Sequence, residues 1–198
     1  MSDGRPAVFL DRDGVLNELI TDADSGMPES PLSVADVRLI PGAAAAVATL
    51  AAHGYALVCV TNQPAAAKGR VSVEELEAIQ LRVAELLARE GARLDSWRMC
   101  LHHPNGVVAE LSGACDCRKP APGMLLDAAE DLKLDLSRSW LVGDTDADME
   151  AAAAAGCRTV LIVHPGSAHK RSSDADCDLL ASELGEAVTK LLADAGYA

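Results

Sequence analysis

The hydrophobic residues of this chain fall into short apolar runs that alternate with amphipathic or alanine-rich stretches. Short runs bounded by turn formers predict buried strands, and stretches with periodic apolar positions and capping residues predict helices. Strands are predicted at residues 7–10, 55–60, 94–100, 140–143 and 158–163, and helices at 41–53, 72–90, 122–132, 146–155 and 182–195. This alternation predicts an α/β fold with a parallel sheet and helices on both faces.

One long segment breaks the alternation. Residues 18–41 contain turn formers and several acids but no clear periodicity, so we interpret them as a functional loop without secondary structure. The chain shows no internal repeat and no linker, and its length suits one core. We therefore expect a single domain that spans residues 1–198.

Composition narrows the class of partner. Hydrophobic residues make up 49% of the chain and charged residues 24%, as in soluble globular proteins. The net charge of −13 repels a phosphate backbone and argues against nucleic acid as a partner. No signal-peptide pattern and no apolar run of about 20 residues is found. We expect a cytoplasmic monomer without membrane contact, whose six cysteines bind metal or are buried thiols.

Polar side chains follow several predicted strands at the edge where ligands bind in such sheets. Asp11 and Asp13 follow the first strand, Thr61 the second and Asp144 the fourth, and Lys119 lies in a connection at the same edge. Carboxylates are the ligands that Mg²⁺ prefers, and a carboxylate can attack phosphorus to give an aspartyl-phosphate. A hydroxyl and an ammonium group can neutralise the transferring phosphoryl group. The alternative is an acidic strand end followed by a turn.

The order of these residues resembles the four motifs of the haloacid dehalogenase (HAD) superfamily phosphatases. The motifs are Asp11-x-Asp13-Gly14, Thr61-Asn62, Lys119 before a proline, and Gly143-Asp144 with Asp148. The resemblance covers almost the whole chain. It implies a three-layer α/β/α Rossmann-like fold, the HAD fold, without a large cap domain.

The same resemblance implies individual roles. Asp11 is then the nucleophile and Asp13 the general acid and base, while Thr61 and Lys119 bind the phosphate. Magnesium is held by the carboxylates of Asp11 and Asp144 and by the backbone carbonyl of Asp13. Two readings remain open for Asp148: it orients Lys119 or a metal-bound water, or it is an acid that the helix dipole favours in a first turn.

A second metal is indicated between the motifs. Cys100, His102, Cys115 and Cys117 form two close pairs of ligands, as in a closed tetrahedral Zn²⁺ site. The alternative is a loop with free thiols. His103 is excluded from the set because an extended backbone directs it to the other side.

This zinc loop runs into Cys117-Arg118-Lys119-Pro120 and resembles the D-glycero-D-manno-heptose-1,7-bisphosphate 7-phosphatases and the histidinol-phosphate phosphatases. The length of the loop favours the heptose group. The resemblance implies a Mg²⁺- and Zn²⁺-containing phosphatase that converts the heptose bisphosphate to heptose 1-phosphate. Arg118 then helps to select the sugar phosphate, unless it merely covers the zinc loop.

The remaining substrate contacts are expected from Asn62, Gln63 and Lys68, which follow the second strand. This chain departs from the heptose group in the residues after Asn17, in residues 64–67, and at Thr145, where a lysine is frequent. These departures leave histidinol phosphate open as a substrate, with an amine that the acids Glu18, Asp22 and Asp24 would bind. A zinc-stabilised binding protein without activity is the third hypothesis.

Overall fold

A computed structural model describes residues 4–23, 25–172 and 176–197, so Asp24 lies outside the described residues. Their main feature is a six-stranded parallel sheet of β1 (Ala7–Leu10), β4 (Ala56–Asn62), β5 (Ser96–Cys100), β6 (Trp140–Gly143), β7 (Arg158–Ile162) and β8 (Leu179–Ala181). The strand order in the sheet is β5-β4-β1-β6-β7-β8. The predicted parallel α/β architecture is confirmed.

Helices pack on both faces of this sheet. They are α1 (Ala43–Ala52), α2 (Val73–Arg89), α3 (Gly123–Leu132), α4 (Asp146–Ala155) and α5 (Leu184–Asp194). Helices α1, α2 and α5 share one core with Val8 and Leu10, whereas α3 and α4 share the other with Ala7 and Phe9. Neighbouring residues of β1 thus point to opposite layers, as the pleat of a strand requires. All four residues of β1 are fully buried, which explains the continuous apolar sequence of this strand.

The structure corrects the sequence analysis in two segments. The stretch 18–41 is not free of secondary structure, because β2 (Ile20–Thr21) and β3 (Pro28–Glu29) form an antiparallel hairpin, and a 3₁₀ helix covers Val34–Asp36. Strand β8 was also not predicted. Its apolar run contains only three residues, which is too short to be recognised as a strand from the sequence.

Capping residues mark the ends of α2 and α4 where the sequence predicts them. Ser72 caps α2 by accepting a hydrogen bond from the backbone N–H of Glu75. At α4, Thr145 and Asp148 form a reciprocal capping box, and Gly156 ends the helix with a φ of 79°. Since α4 directly follows β6, this cap fixes the first turn of the helix against the carboxyl edge of the sheet. No described helix is both long and apolar enough to cross a membrane.

Candidate active site

A cleft of about 260 Å³ opens at the carboxyl ends of β1, β4 and β6. Its charged lining consists of Asp11, Asp13, Glu29, Asp144, Arg118, Lys119 and Lys170, and Thr61, Asn62 and Thr145 also line it. Leu19, Glu29 and Ser30 contribute from the segment that carries the β2–β3 hairpin. The side chains that follow separate strands in the sequence therefore meet in one cleft.

Lys119 connects two of the acids at the bottom of this cleft. Its Nζ atom lies 3.0 Å from Oδ1 of Asp11 and 2.5 Å from Oδ1 of Asp148, and it donates to the carbonyl of Val60 at 2.7 Å. Burial opposes a charge here, but the two carboxylates hold the pKa of Lys119 above its ordinary value. The lysine is therefore a fixed cation beside the carboxylate of Asp11.

The other oxygen of Asp148 closes the capping box. It accepts hydrogen bonds from the backbone N–H of Thr145 at 3.1 Å and from its hydroxyl at 2.6 Å. The two interpretations left open for Asp148 are therefore compatible. The acid lies in the first turn of α4, which it caps, and its other oxygen contacts Lys119. Its side chain is fully buried.

Asp13 is surrounded by donors. Its carboxylate accepts from Arg12 Nε at 3.1 Å and Nη2 at 3.0 Å, from Asn17 Nδ2 at 2.8 Å and from Gln63 Nε2 at 2.5 Å. Burial alone would raise the pKa of Asp13, but the charge of Arg12 and these hydrogen bonds hold it below its ordinary value. Asp13 is therefore a carboxylate in this geometry.

Asp11 and Asp144, unlike Asp13, lie in surroundings that raise the pKa of a carboxyl group. Burial, followed by the neighbouring acids, raises the pKa of Asp144 to about 7, and burial also raises that of Asp11 to about 6. Ligand oxygens of Asp11, Asp144 and Asp148 all lie within 4.8 Å of one another. Oδ1 of Asp144 is buried without a hydrogen-bond partner among the described residues. A hard divalent cation would satisfy this oxygen and offset the repulsion, so the donor set fits Mg²⁺.

Gly14 allows Asp144 to approach the end of β1. It has a φ of 88°, and a Cβ atom on it would lie 2.3 Å from Oδ2 of Asp144. The backbone carbonyl of Asp144 also accepts a hydrogen bond from Arg171 Nη1 at 3.1 Å. Gly14 thus leaves room for the carboxylate, and Arg171 holds the backbone that carries it.

The four expected zinc ligands form a second cluster next to the cleft. The Sγ atoms of Cys100, Cys115 and Cys117 lie 3.1–3.7 Å apart, and Nδ1 of His102 lies 3.6 Å from Cys117 Sγ and 3.9 Å from Cys100 Sγ. A tetrahedral ion with Zn–S bonds of about 2.3 Å separates its sulfur ligands by about 3.8 Å. The thiols are not paired in disulfides, and the four residues fit a structural zinc ion.

The three residues expected to contact the substrate differ in their positions relative to the cleft. Asn62 lines the cleft, but its amide binds the backbone of Lys119, donating to the carbonyl at 2.9 Å and accepting from the N–H at 3.1 Å. Gln63 is buried behind the cleft, where it donates to Asp13 and to Thr61 Oγ1. Lys68 is exposed and does not line the cleft. Asn62 and Gln63 therefore position other groups, because tertiary contacts already use their amides.

Arg118 shows both of its expected features. It lines the cleft, and its Nη1 atom donates to the carbonyl of His102 in the zinc loop at 3.2 Å. The contact with the loop fixes one side of the guanidinium while other N–H groups remain for a ligand. The zinc loop thus carries both Arg118 and Lys119 into the site.

Several site residues escaped the sequence analysis. Arg12 occupies the variable position between the two acids and yet is fully buried against Asp13. A cation between two acids, directly after a buried strand, is a signal that could have identified it. Lys170 and Arg171 come from the segment after β7, where no motif pointed to the site.

The sequence of this chain is similar to those of known proteins. Residues 116–187 match the HAD-hydrolase-like family model. The D-glycero-beta-D-manno-heptose-1,7-bisphosphate 7-phosphatase of Yersinia pestis is 38% identical over 94% of this chain and 95% of its own length. The protein of the same name from Rhodopseudomonas palustris is 42% identical over 77% of this chain and 80% of its own.

A solved structure extends the similarity to the fold. The D,D-heptose 1,7-bisphosphate phosphatase of B. bronchiseptica, complexed with magnesium and phosphate, superposes with a TM-score of 0.76. It is 30% identical, and the match covers 96% of this chain and 99% of that one. By the identity and coverage of these relatives, the chain belongs to the family of the D-glycero-beta-D-manno-heptose-1,7-bisphosphate 7-phosphatases.

Proposed function

We propose that this protein is a magnesium-dependent phosphatase that converts D-glycero-D-manno-heptose 1,7-bisphosphate to heptose 1-phosphate. The observation that supports this chemistry best is the difference between the two carboxylate oxygens of Asp11. Its Oδ1 atom is held by Lys119 and by the backbone N–H of Arg12 at 2.8 Å, whereas Oδ2 has no partner among the described residues. One oxygen of the carboxylate is thus anchored while the other is available to attack phosphorus.

The residues of the cleft then have separable tasks. Oδ2 of Asp11 forms a bond to the phosphorus as the bond from phosphorus to the sugar oxygen breaks, which leaves an acyl phosphate. Asp13 in its protonated form gives a proton to the leaving oxygen, and the carboxylate that results takes a proton from the water that hydrolyses the acyl phosphate, which restores the acid. Arg12, Asn17 and Gln63 stabilise this carboxylate while it acts as the base.

Phosphate binding falls to Thr61 and Lys119. The hydroxyl of Thr61 accepts from Gln63 and keeps its own hydrogen for a phosphate oxygen. Magnesium, held by Asp11, Asp144 and the backbone carbonyl of Asp13, would neutralise charge on the transferring group when bound. Zinc on Cys100, His102, Cys115 and Cys117 would be structural and would hold the loop that ends in Lys119.

Outside the catalytic groups, the cleft is lined by two cations, Arg118 and Lys170, and one acid, Glu29, a balance that favours a bisphosphate over a cationic substrate. Of the acids that would have to bind an amine, Asp22 is already paired with Arg70, and Glu18 lies in a neighbouring cavity. Arg118 and Lys170 line the cleft and suit a second phosphate. The named relatives act, by their names, on the heptose bisphosphate.

Phosphate release from a panel of phosphorylated metabolites tests the proposal. In the presence of Mg²⁺ we expect kcat/KM for the heptose bisphosphate to exceed that for histidinol phosphate at least a hundredfold. The Asp11→Asn variant is the control for contaminating phosphatases. A preference for histidinol phosphate would contradict the substrate, and release of no phosphate from any compound would favour a binding protein without activity.

A further inference from the structure

One wall of the cleft comes from the segment that follows β7. A 3₁₀ helix, Pro165–Lys170, begins after His164, whose Nδ1 accepts from the backbone N–H of Gly166 at 3.1 Å. Lys170, the last residue of this helix, lines the cleft. In the sheet order, β7 and the β4–β5 pair lie on opposite sides of β1, so Lys170 and Arg118 approach the cleft from opposite sides.

Arg171 ties this segment to the loop that carries Asp144. Its Nη1 atom donates to the carbonyl of Asp144 at 3.1 Å and to the hydroxyl of Ser167 at 2.6 Å, and Nη2 donates to the carbonyl of His164 at 2.8 Å. The backbone N–H of Ser172 adds a hydrogen bond to Oδ2 of Asp146 at 2.6 Å. The residues on both sides of Arg171 are therefore held at a fixed place beside the cleft.

Lys170 differs from the other cations that line the cleft. Lys119 is occupied by Asp11 and Asp148, and Arg118 gives one N–H to the zinc loop. Lys170 is exposed, and its side chain makes no hydrogen bond or ion pair with the described residues. Four acids line the same cleft and repel a second dianionic group, and the uncommitted positive charge of Lys170 offsets part of this repulsion.

We propose that Lys170 is a specificity-determining residue that binds the phosphate retained by the substrate, opposite Arg118, and that Arg171 positions it. This inference rests on the proposed function, because only a bisphosphate has such a group. A flexible ammonium suits this task, since it can follow the retained phosphate without a fixed bidentate geometry.

The test compares a sugar bisphosphate with a matched monophosphate that lacks the retained group. In Lys170→Met we expect KM for the bisphosphate to rise at least tenfold, and at least fivefold more than KM for the monophosphate, while kcat for the bisphosphate changes less than twofold. Lys190→Met, which removes a cation on α5 away from the cleft, is the control and should change neither KM. Equal changes for both substrates, or a loss confined to kcat, would overturn the proposal.

Arg171→Met tests the positioning role. We expect it to reproduce the rise in KM for the bisphosphate, and the double variant with Lys170→Met should show little further rise. Independent, multiplicative effects would refute the positioning role. Failure of the wild-type protein to hydrolyse the bisphosphate would refute the proposed function itself. A wild type that hydrolyses it, with an unchanged KM ratio in Lys170→Met, would refute this inference alone.

Discussion

Lys119 and Asp148 form a buried ion pair, with Nζ 2.5 Å from Oδ1 and side chains that are 3% and 0% exposed. Removal of one partner from such a pair leaves an uncompensated charge away from water. The pair therefore links the stability of the fold to the placement of the cation next to Asp11.

We expect Asp148→Asn to lower the free energy of unfolding by about 3 kcal/mol, because it breaks a buried pair. Urea denaturation measures the loss. Asp131→Asn is the matched control, since Asp131 is 66% exposed in its pair with Arg98 and should cost less than about 1 kcal/mol. Similar losses of unfolding free energy in the two variants would mean that the buried pair contributes no more to stability than an exposed one.

Asp11→Asn should abolish turnover without destabilising the protein. The amide keeps the shape of the side chain but is not a nucleophile. Burial raises the pKa of Asp11 to about 6, so the carboxylate is disfavoured by its surroundings and a neutral group is tolerated. Phosphate release and urea denaturation together check both parts. Substantial activity in Asp11→Asn would refute the assignment of the nucleophile.

Asp13→Asn, unlike Asp11→Asn, should destabilise the protein. Arg12 is fully buried, and without the charge of Asp13 it loses its counter-ion, so we expect a loss of about 3–5 kcal/mol in addition to slower turnover. Urea denaturation gives the loss, and Asp11→Asn serves as the adjacent control.

The acid stability of the wild type should reflect the same carboxylate. Because the folded-state pKa of Asp13 is depressed, its contribution to stability is fully present above about pH 4, near its unfolded pKa. That contribution is lost as the pH falls through the folded pKa. Unfolding free energies measured between pH 6 and pH 3 should therefore fall more steeply for the wild type than for Asp13→Asn. If the unfolding free energies of the two proteins fell in parallel with pH, the lowered folded-state pKa of Asp13 would be contradicted.

Zinc analysis of freshly reduced protein should give about one equivalent per chain. Cys115→Ser should lose zinc and stability, and also activity, because Arg118 and Lys119 follow the last ligand, Cys117. Cys177→Ser is the control, since Cys177 is a free thiol outside the cluster, and it should keep its zinc. Zinc-free wild-type protein with full stability would contradict the structural site.

Arg118→Ala should raise KM for the heptose bisphosphate at least tenfold more than KM for a simple monophosphate. The physical reason is the loss of a charge-assisted contact that only the retained phosphate can make. Arg118→Lys keeps the charge but not the planar fork, so it should restore part of the difference. Equal effects on the two substrates would show that Arg118 only covers the zinc loop.

The parts of the site that the sequence predicted are those that a parallel sheet brings together by itself. Asp11 and Asp144 each follow a buried strand and Thr61 lies in the last residues of β4, and adjacent parallel strands end at one edge. The contacts of Asn62 with the backbone of Lys119 were not predictable, because they depend on how two loops meet. The β2–β3 hairpin escaped notice because strands of two residues show no alternation.

Gly14 has a consequence for any attempt to redesign this enzyme. Every side chain at this position would meet the carboxylate of Asp144 and would also have to adopt a φ of 88°. A library randomised at residue 14 would therefore return almost only the parent, although the residue takes no part in the chemistry. Variation of substrate preference is better directed to the β2–β3 hairpin, whose Glu29 faces the cleft from a short surface element.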